Sequence, residues 1–364
     1  MKIVNTLKVM YNGREVGLLR KAPDGRRCTF QYTGPWLSEG FSISPLKLPL
    51  KDEIFIAPQD PFDGNFGVFE DSLPDGYGRY LLNRMLRREG IVERLLDPIQ
   101  RLSIVGRSGM GALEYLPESY VGEEKSLPSL DVLQDMALDV LSEKTDKDAD
   151  ILYFNSGNSG GCRPKCLMKD GEGDWLVKFR HTYDLVEIGR NEYDCNVLAR
   201  NAGIDVPDFK LIEGKYFATK RFDIKDAKRL HVITASGLLD TSIRVPSLDY
   251  VDLLKLTGFI TQDPRQVEQM YRRMVFNVLI ENKDDHAKNF SFLCDDGTWS
   301  LAPAFDLTRF PTGYNGEHAT SVCGNGRPRE KDLLEAAESI RIPSSRAREI
   351  YAEVHGAVRG VKLS

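Results

Sequence analysis

The chain has 364 residues, of which 41% are hydrophobic and 28% are charged, with a formal net charge of −5 and a pI near 5.7. This is the composition of an ordinary globular chain, long enough for two domains or one bilobal domain. Independent nucleic-acid binding is not expected, because neutralising phosphates needs a basic face.

Cysteine usage and hydropathy indicate the compartment. The six cysteines are scattered and contain no C-x-x-C pair. This pattern argues against a disulfide framework or a structural zinc site and fits a reducing cytosol. The first residues do not resemble a signal peptide, and no apolar run approaches the roughly 18 residues of a membrane helix. We therefore expect a cytoplasmic protein without a membrane segment.

Residues 1–125 are predicted to form a small α/β N-terminal subdomain. Alternating apolar residues flank Asn12-Gly13, the strongest short hairpin signal. Leu73 to Arg79 predicts a turn that opens a helix, and Gly109 to Gly111 predicts a tight connection. A polar stretch near residues 122–128 is the predicted domain boundary.

Residues 126–225 are predicted to form a nucleotide-binding lobe. Asn155 to Lys165 is glycine-rich, so its backbone N–H groups could approach phosphate oxygens; a plain glycine-rich turn is the alternative. Lys178 lies within an apolar strand, either to grip phosphates or as an outward-facing lysine on a half-exposed strand. The following helix, about 186–201, carries Glu187 and Glu192; either could pair with Lys178, and we favour Glu192.

Residues 226–364 are predicted to form a helical lobe. Asp263 and Pro264 are a typical helix start, and apolar residues then recur at three- and four-residue spacing up to Leu279. A polar loop at 282–289 and a hairpin around 295–297 follow, and this hairpin would return Asp306 to the side of Asn289. We expect His318 on a surface loop rather than at a metal.

The polar loop has the residue types that phosphate transfer requires. Such a reaction needs a carboxylate near the attacking hydroxyl, oxygen ligands for magnesium and a cation against the phosphates. Asp284 and Asn289 are five residues apart, the spacing of the protein-kinase catalytic loop. A capped helix end, a polar loop and a hairpin with purely structural roles is the alternative.

The segment Asp284-Asp285-His286-Ala287-Lys288-Asn289-Phe290-Ser291 resembles the catalytic segment of the HipA-type serine/threonine kinases, the toxins of bacterial toxin–antitoxin pairs. The likeness extends over about residues 5–310. It includes strings similar to the family's N-terminal subdomain: Trp36-Leu37, Leu48-Pro49-Leu50, Leu73 to Arg79 and Gly109 to Leu113.

The resemblance implies an α+β, protein-kinase-like bilobal fold, with a β-rich nucleotide lobe and a mostly α-helical C-lobe, that uses ATP and Mg²⁺. It implies Asp284 as the catalytic base, His286 and Lys288 as loop supports or phosphate contacts, and Asn289 and Asp306 as magnesium ligands. The implied nucleotide contacts are Ser159, Gly160, Gly161, Arg163, Lys165 and Lys178, with an adenine hinge at Lys220, Phe222 and Asp223. Lys220 departs from the acid that the family commonly has there, which leaves the adenine contacts open.

The resemblance also implies a protein substrate with a serine or threonine acceptor, growth arrest, and a HipB-like helix-turn-helix antitoxin that alone contacts DNA. Some members autophosphorylate a serine at the position of Asn158, which Ser156 and Ser159 flank here. The alternatives are a small-molecule kinase, a kinase-like co-repressor or binding module with weak or no catalysis, and a metal-dependent hydrolase.

Overall fold

An antiparallel sheet forms the N-terminal module of the structure, a computed structural model that describes residues 4–119, 128–156 and 160–360. Its strands are β1 (Thr6–Tyr11), β2 (Arg14–Lys21), β3 (Cys28–Tyr32), β4 (Phe55–Ile56) and β5 (Leu113–Leu116), in the order β4-β3-β2-β1-β5. Asn12 and Gly13 join β1 to β2, and both have positive φ, as the two-residue turn needs. The predicted hairpin is confirmed.

The N-terminal helices connect this sheet to the rest of the chain. They are α1 (Gly34–Glu39), α2 (Gly67–Glu70), α3 (Gly76–Arg88) and α4 (Pro98–Val105). The apolar face of α3, with Leu81, Leu82 and Met85, packs into one core with α5 (Leu130–Leu141) and α6 (Ala149–Ser156). Part of the predicted N-terminal subdomain therefore shares its core with the predicted nucleotide lobe.

The predicted nucleotide lobe has a second antiparallel sheet. Its strands are β6 (Lys165–Asp170), β7 (Gly173–Lys178), β8 (Phe209–Ile212) and β9 (Tyr216–Lys220), in the order β6-β7-β9-β8. Lys165 and Lys178 are directly opposite each other at one end of the β6–β7 pair. Helix α7 (Ile188–Asn201) packs near β8 and β9.

The C-terminal part of the chain is mainly helical. Its helices are α8 (Ala235–Leu239), α9 (Tyr250–Thr261), α10 (Pro264–Leu279), α11 (Glu330–Ser339) and α12 (Ser344–Val358). The Asp263 side chain accepts a hydrogen bond from the Arg265 N–H, which confirms the predicted helix start. Buried residues of α9 and α10 belong to the same core as the N-terminal sheet.

Short strands complete this region. They are β10 (Ile224–Lys225), β11 (Lys228–Arg229), β12 (His231–Thr234), β13 (Leu248–Asp249), β14 (Ser291–Asp295), β15 (Thr298–Leu301) and β16 (Thr320–Ser321). β14 and β15 pair as the predicted hairpin, with Asp296 and Gly297 in the turn. Over the described ranges, no helix combines the length and the apolar character that crossing a bilayer demands.

Candidate active site

The candidate site begins where α10 ends and the chain reverses into the polar loop. Asn282 is buried and holds this reversal: its N–H donates to the Asn277 carbonyl (2.8 Å), and its amide nitrogen reaches the Asp306 carbonyl (3.4 Å). The loop then closes in a short 3₁₀ turn at Ala287–Asn289. Two segments distant in sequence are therefore tied together at the root of the loop.

Asp284 and Asn289 lie at the two ends of this loop and are joined directly. The Asn289 amide nitrogen donates to the Asp284 carbonyl oxygen (2.8 Å), so its amide oxygen is the atom it can offer to a metal. Asp284 is exposed, yet its carboxyl is partly desolvated by the surrounding chain, and this raises its pKa. The Asp306 and Asp285 carboxylates raise the pKa further, whereas His286 lowers it.

Asp306 follows the β14–β15 hairpin and lies opposite the nucleotide lobe. Its backbone is left-handed (φ 52°), a conformation that Asp tolerates better than most residues. Its carboxylate forms an ion pair with Lys178. Burial raises the pKa of Asp306, but the ammonium groups of Lys178 and Lys165 outweigh it and bring the pKa down to about 2. The residue is a permanent anion at neutral pH.

Lys178 ends β7 and is bound by two carboxylates. Its ammonium contacts Asp306 and also Glu192 of α7, at 2.5 Å. Burial lowers the pKa of Lys178, yet the two acids more than offset this and raise it. The expected pairing with Glu192 is confirmed, and Lys178 does not point outward.

The described part of the glycine-rich loop lies beside this cluster. Buried Lys165 donates to the Gly160 carbonyl, and Arg163 forms a two-point ion pair with Asp184 (2.9 and 3.1 Å). The Gly161 N–H donates to Asp75 (2.7 Å), a residue of the N-terminal module. Ser159 and Asn158 lie outside the described residues.

The predicted hinge residues are divided between surface and core. Lys220 is half-buried, 3.9 Å from Asp208, and Phe222 packs on Phe305 with ring centres 5.5 Å apart. Asp223 is only 1% exposed, and its carboxylate accepts hydrogen bonds from Arg221 and from the Gly111 N–H. The structure thus brings Lys178, Asp284, Asn289 and Asp306 together but does not bring Asp223 to an open surface.

The two remaining loop residues differ in their contacts. Lys288 forms an ion pair with Asp75 (2.8 Å) rather than pointing into solvent. His286 is close enough to Asp284 and Asp306 to affect their pKa values, and its Nδ1 is buried with no hydrogen-bond partner in the described part of the chain. His286 therefore belongs to the same cluster as the acids, whereas Lys288 faces acids of the N-terminal module.

A buried network behind the loop escaped the sequence analysis. Asp285 is 1% exposed and accepts hydrogen bonds from the Tyr250 hydroxyl (2.9 Å) and the Thr320 N–H (3.3 Å). His318 Nδ1 lies 2.9 Å from the same carboxylate, and His318 is 7% exposed. The prediction of a surface His318 is wrong, because a distant buried acid, invisible in the local Gly-rich sequence, draws the ring inward. The contacts of Asp75 with Gly161 and Lys288 were also not predicted. Its position just before α3 indicated only that its side chain would accept a hydrogen bond.

A small cleft adjoins these residues. It is lined by Arg273, Asn277, Asn282, Asp285, Asn289, Phe290, Ala304, Phe305, Asp306 and Leu307. Asn289 and Asp306, the two candidate magnesium ligands, therefore line the same cleft between α10 and the segment after the β14–β15 hairpin.

This arrangement of a lysine–glutamate pair facing an Asp/Asn/Asp loop cluster, below an antiparallel sheet, defines a protein-kinase-like class of fold. Two family models match the chain: the HipA-like C-terminal domain at residues 157–361 and the HipA N-terminal domain at residues 7–116. The first alone spans more than half of the sequence. The chain belongs to the HipA family.

A solved structure supports the fold. HipA of Shewanella oneidensis MR-1, determined as a toxin–antitoxin complex with HipB and operator DNA, superposes with a TM-score of 0.73 at 17% identity. The match covers 97% of this chain and 88% of that one. At this identity the likeness concerns the fold alone, and it confirms the predicted fold class.

Curated relatives match over shorter stretches. Y4dM of Sinorhizobium fredii, named as a candidate kinase, is 28% identical over 168 residues, or 41% of each chain. A Haemophilus influenzae protein, also named as a candidate kinase, is 26% identical over 150 residues, which are 35% of this chain and 44% of the relative. The chain thus matches less than half the length of these two relatives.

Proposed function

We propose that this protein is an ATP- and Mg²⁺-dependent serine/threonine protein kinase that acts as a growth-arresting toxin. The observation that carries the proposal is the contact of Lys178 with both Glu192 and Asp306. A largely buried lysine, held by an acid of a neighbouring helix and facing an acid of the opposite lobe, is the arrangement that kinases use on nucleotide phosphates.

The residues fit a magnesium nucleotide. In the described ranges, no three His, Cys, Asp or Glu side chains are grouped to hold a metal by themselves. Mg²⁺ is commonly held by one or two protein oxygens together with substrate phosphates and water, so a complete protein cage is not required. The Asp306 carboxylate and the Asn289 amide oxygen would hold the metal, and Lys178 would hold the α- and β-phosphates.

Each remaining residue has a task that follows from its chemistry. Mg²⁺ with ATP supplies a phosphoryl group whose charge is partly neutralised. Asp284 would orient the acceptor hydroxyl and take its proton, and its raised pKa makes it a stronger proton acceptor than an ordinary aspartate. Lys178 and Lys165 would stabilise charge on the phosphates from the opposite lobe.

The biological setting is part of the same proposal. Family membership and the structural neighbour support a cytoplasmic toxin that a HipB-like helix-turn-helix antitoxin neutralises. A net charge of −5 supports DNA contact through that antitoxin and not through this chain.

The test is phosphoryl transfer from γ-labelled ATP with Mg²⁺ into a lysate, followed by mass spectrometry of proteins and small molecules. Wild type should label serine or threonine in proteins, and Asp284→Ala should label none and should lose growth inhibition. Asp52→Ala, which removes an exposed carboxylate of the N-terminal module, is the control and should label proteins as wild type does. Label confined to metabolites would replace the proposal with a small-molecule kinase. Growth inhibition that survives Asp284→Ala would replace it with a non-catalytic binding module.

A further inference from the structure

Asp75 occupies the cap position of α3 but does not cap it. Aspartate is favoured there because its carboxylate usually accepts an N–H from the first helical turn. In α3 the Asp75 side chain makes no such bond. One oxygen instead accepts the Gly161 N–H (2.7 Å) and the other accepts the Lys288 ammonium (2.8 Å). The carboxylate is thus committed to two other segments of the chain.

The turn around Asp75 also fits closely against the glycine-rich loop. The Tyr77 N–H donates to the Gly161 carbonyl (3.0 Å). Gly76 has φ +42°, and a Cβ there would overlap the Gly161 carbonyl. The N-terminal module therefore supports this loop through backbone and side chain together.

Asp75 and Lys288 are both largely shielded, with side-chain exposures of 24% and 17%. Burial raises the pKa of Asp75, but the Lys288 ammonium and the Gly161 N–H more than compensate and lower it. Asp75 is therefore ionised at neutral pH. Charge-assisted bonds in such a setting are stronger than exposed ones.

We propose that Asp75 is a positioning residue that holds residues 160–165 of the glycine-rich loop against the polar loop at 282–289 and thereby sets the affinity for the nucleotide. This inference rests on the proposed kinase function. Without the carboxylate, the loop around Gly161 samples more conformations, and nucleotide binding must then order it at a cost in free energy. Lys288 also loses its ion-pair partner. The effect should fall on binding more than on the chemical step.

Two variants separate the roles that Asp75 could have. Asp75→Ser places a residue type that caps helices well at this position, but the serine side chain cannot reach both partners. Asp75→Asn keeps an acceptor for Gly161 and loses the charge that pairs with Lys288. Glu89→Gln, at the other end of the same helix, is the matched control because it removes an exposed carboxylate.

The experiment measures amide hydrogen exchange of residues 160–165 without nucleotide, Mg-ADP affinity by calorimetry, and KM and kcat with Mg-ATP. For Asp75→Ser we expect faster exchange and about tenfold weaker Mg-ADP binding, since one charge-assisted bond is worth at least that factor. KM should rise similarly while kcat stays within about threefold. Asp75→Asn should be intermediate, and Glu89→Gln should match wild type.

Wild-type exchange and affinity in Asp75→Ser would overturn the inference, because Asp75 would then not position the loop. Tighter Mg-ADP binding would also overturn it, because Asp75 would then compete with phosphate for the Gly161 N–H. Failure of the proposed function has a different signature, namely wild-type protein that binds no Mg-ADP. The exchange of residues 160–165 would still decide for or against the role of Asp75 in that case.

Discussion

Lys178 and Asp306 are 128 residues apart in the sequence and form an ion pair in the fold. Lys178 also binds Glu192, so β7, α7 and the segment after the β14–β15 hairpin meet at one ammonium group. Removing one partner of a buried ion pair leaves the charge of the remaining group without compensation. The same contact therefore contributes to stability and to the proposed catalysis.

Lys178→Met should lower phosphoryl transfer at least about 100-fold and destabilise the fold by about 3 kcal/mol, because Glu192 would remain buried without its cation. Urea unfolding and a transfer assay measure the two effects. The double variant Lys178→Met/Glu192→Gln should regain most of the stability and none of the activity. A double variant no more stable than the single one would contradict the assigned pairing.

Loss of the buried acid behind the loop should be costly. Asp285→Ala leaves the donors of Tyr250, His318 and Thr320 unpaired, and we expect about 3 kcal/mol of destabilisation together with reduced transfer. Tyr250→Phe removes one donor to Asp285 and should cost about 1 kcal/mol. Chemical denaturation gives both values.

Tyr183→Phe is the control for that series, since Tyr183 is 69% exposed and should tolerate the loss of its hydroxyl. If Asp285→Ala were as stable as wild type, the network would have no role in holding the polar loop at 282–289.

Two glycines with positive φ offer a matched comparison. Gly90 has φ +72° and nothing within 4 Å of an added Cβ, so Gly90→Ala should cost only the backbone strain of about 1–2 kcal/mol. Gly76→Ala adds an overlap with the Gly161 carbonyl, so it should cost more and also weaken Mg-ADP binding. Thermal unfolding measures the loss of stability, and calorimetry measures Mg-ADP affinity. Equal effects of the two substitutions would argue against close packing of Gly76 on Gly161.

His231 should make the fold sensitive to acid. It is fully buried, and desolvation lowers its pKa from the ordinary 6.5 to about 4. The hydrogen bond to the Ile43 carbonyl (2.7 Å) acts in the opposite direction and raises the pKa, but by less. Between these values the unfolded chain binds a proton that the fold does not, so stability falls as pH drops from 6.5 to 4. This loss should reach up to about 3 kcal/mol.

His231→Phe removes the titrating group while filling the same apolar space beside Phe41 and Trp299. Its free energy of unfolding should lie below that of wild type at pH 7, through the lost hydrogen bond, and approach or exceed it near pH 4.5. Urea unfolding at several pH values measures this difference. A difference that is constant with pH would show that His231 does not titrate as described.

The sequence was informative wherever a local pattern dictates a local structure. The Asn12-Gly13 turn, the Asp263 cap and the Asp296-Gly297 hairpin follow from backbone preferences within a few residues. The Lys178–Glu192 pair could also be anticipated, because a lysine inside an apolar strand needs an anion nearby.

The remaining contacts depend on packing between distant segments. Nothing near His318 indicates that Asp285 will bury it, and nothing near Asp75 indicates Gly161 and Lys288 as its partners. The Gly111 N–H, 112 residues earlier in the sequence, likewise donates to Asp223, a residue that the resemblance assigns to the nucleotide. The contacts of Asp75 and Gly111 form only when the N-terminal module packs against the rest of the chain, and the His318–Asp285 contact forms within the C-terminal part.

The most direct test of the central claim is a single-turnover measurement on wild type and Asp284→Asn, with Mg-ATP affinity determined on the same preparations. We expect transfer by Asp284→Asn to fall at least about 100-fold with affinity nearly unchanged, because Asp284 acts on the acceptor hydroxyl and not on the nucleotide. Transfer at the wild-type rate by Asp284→Asn would contradict the account.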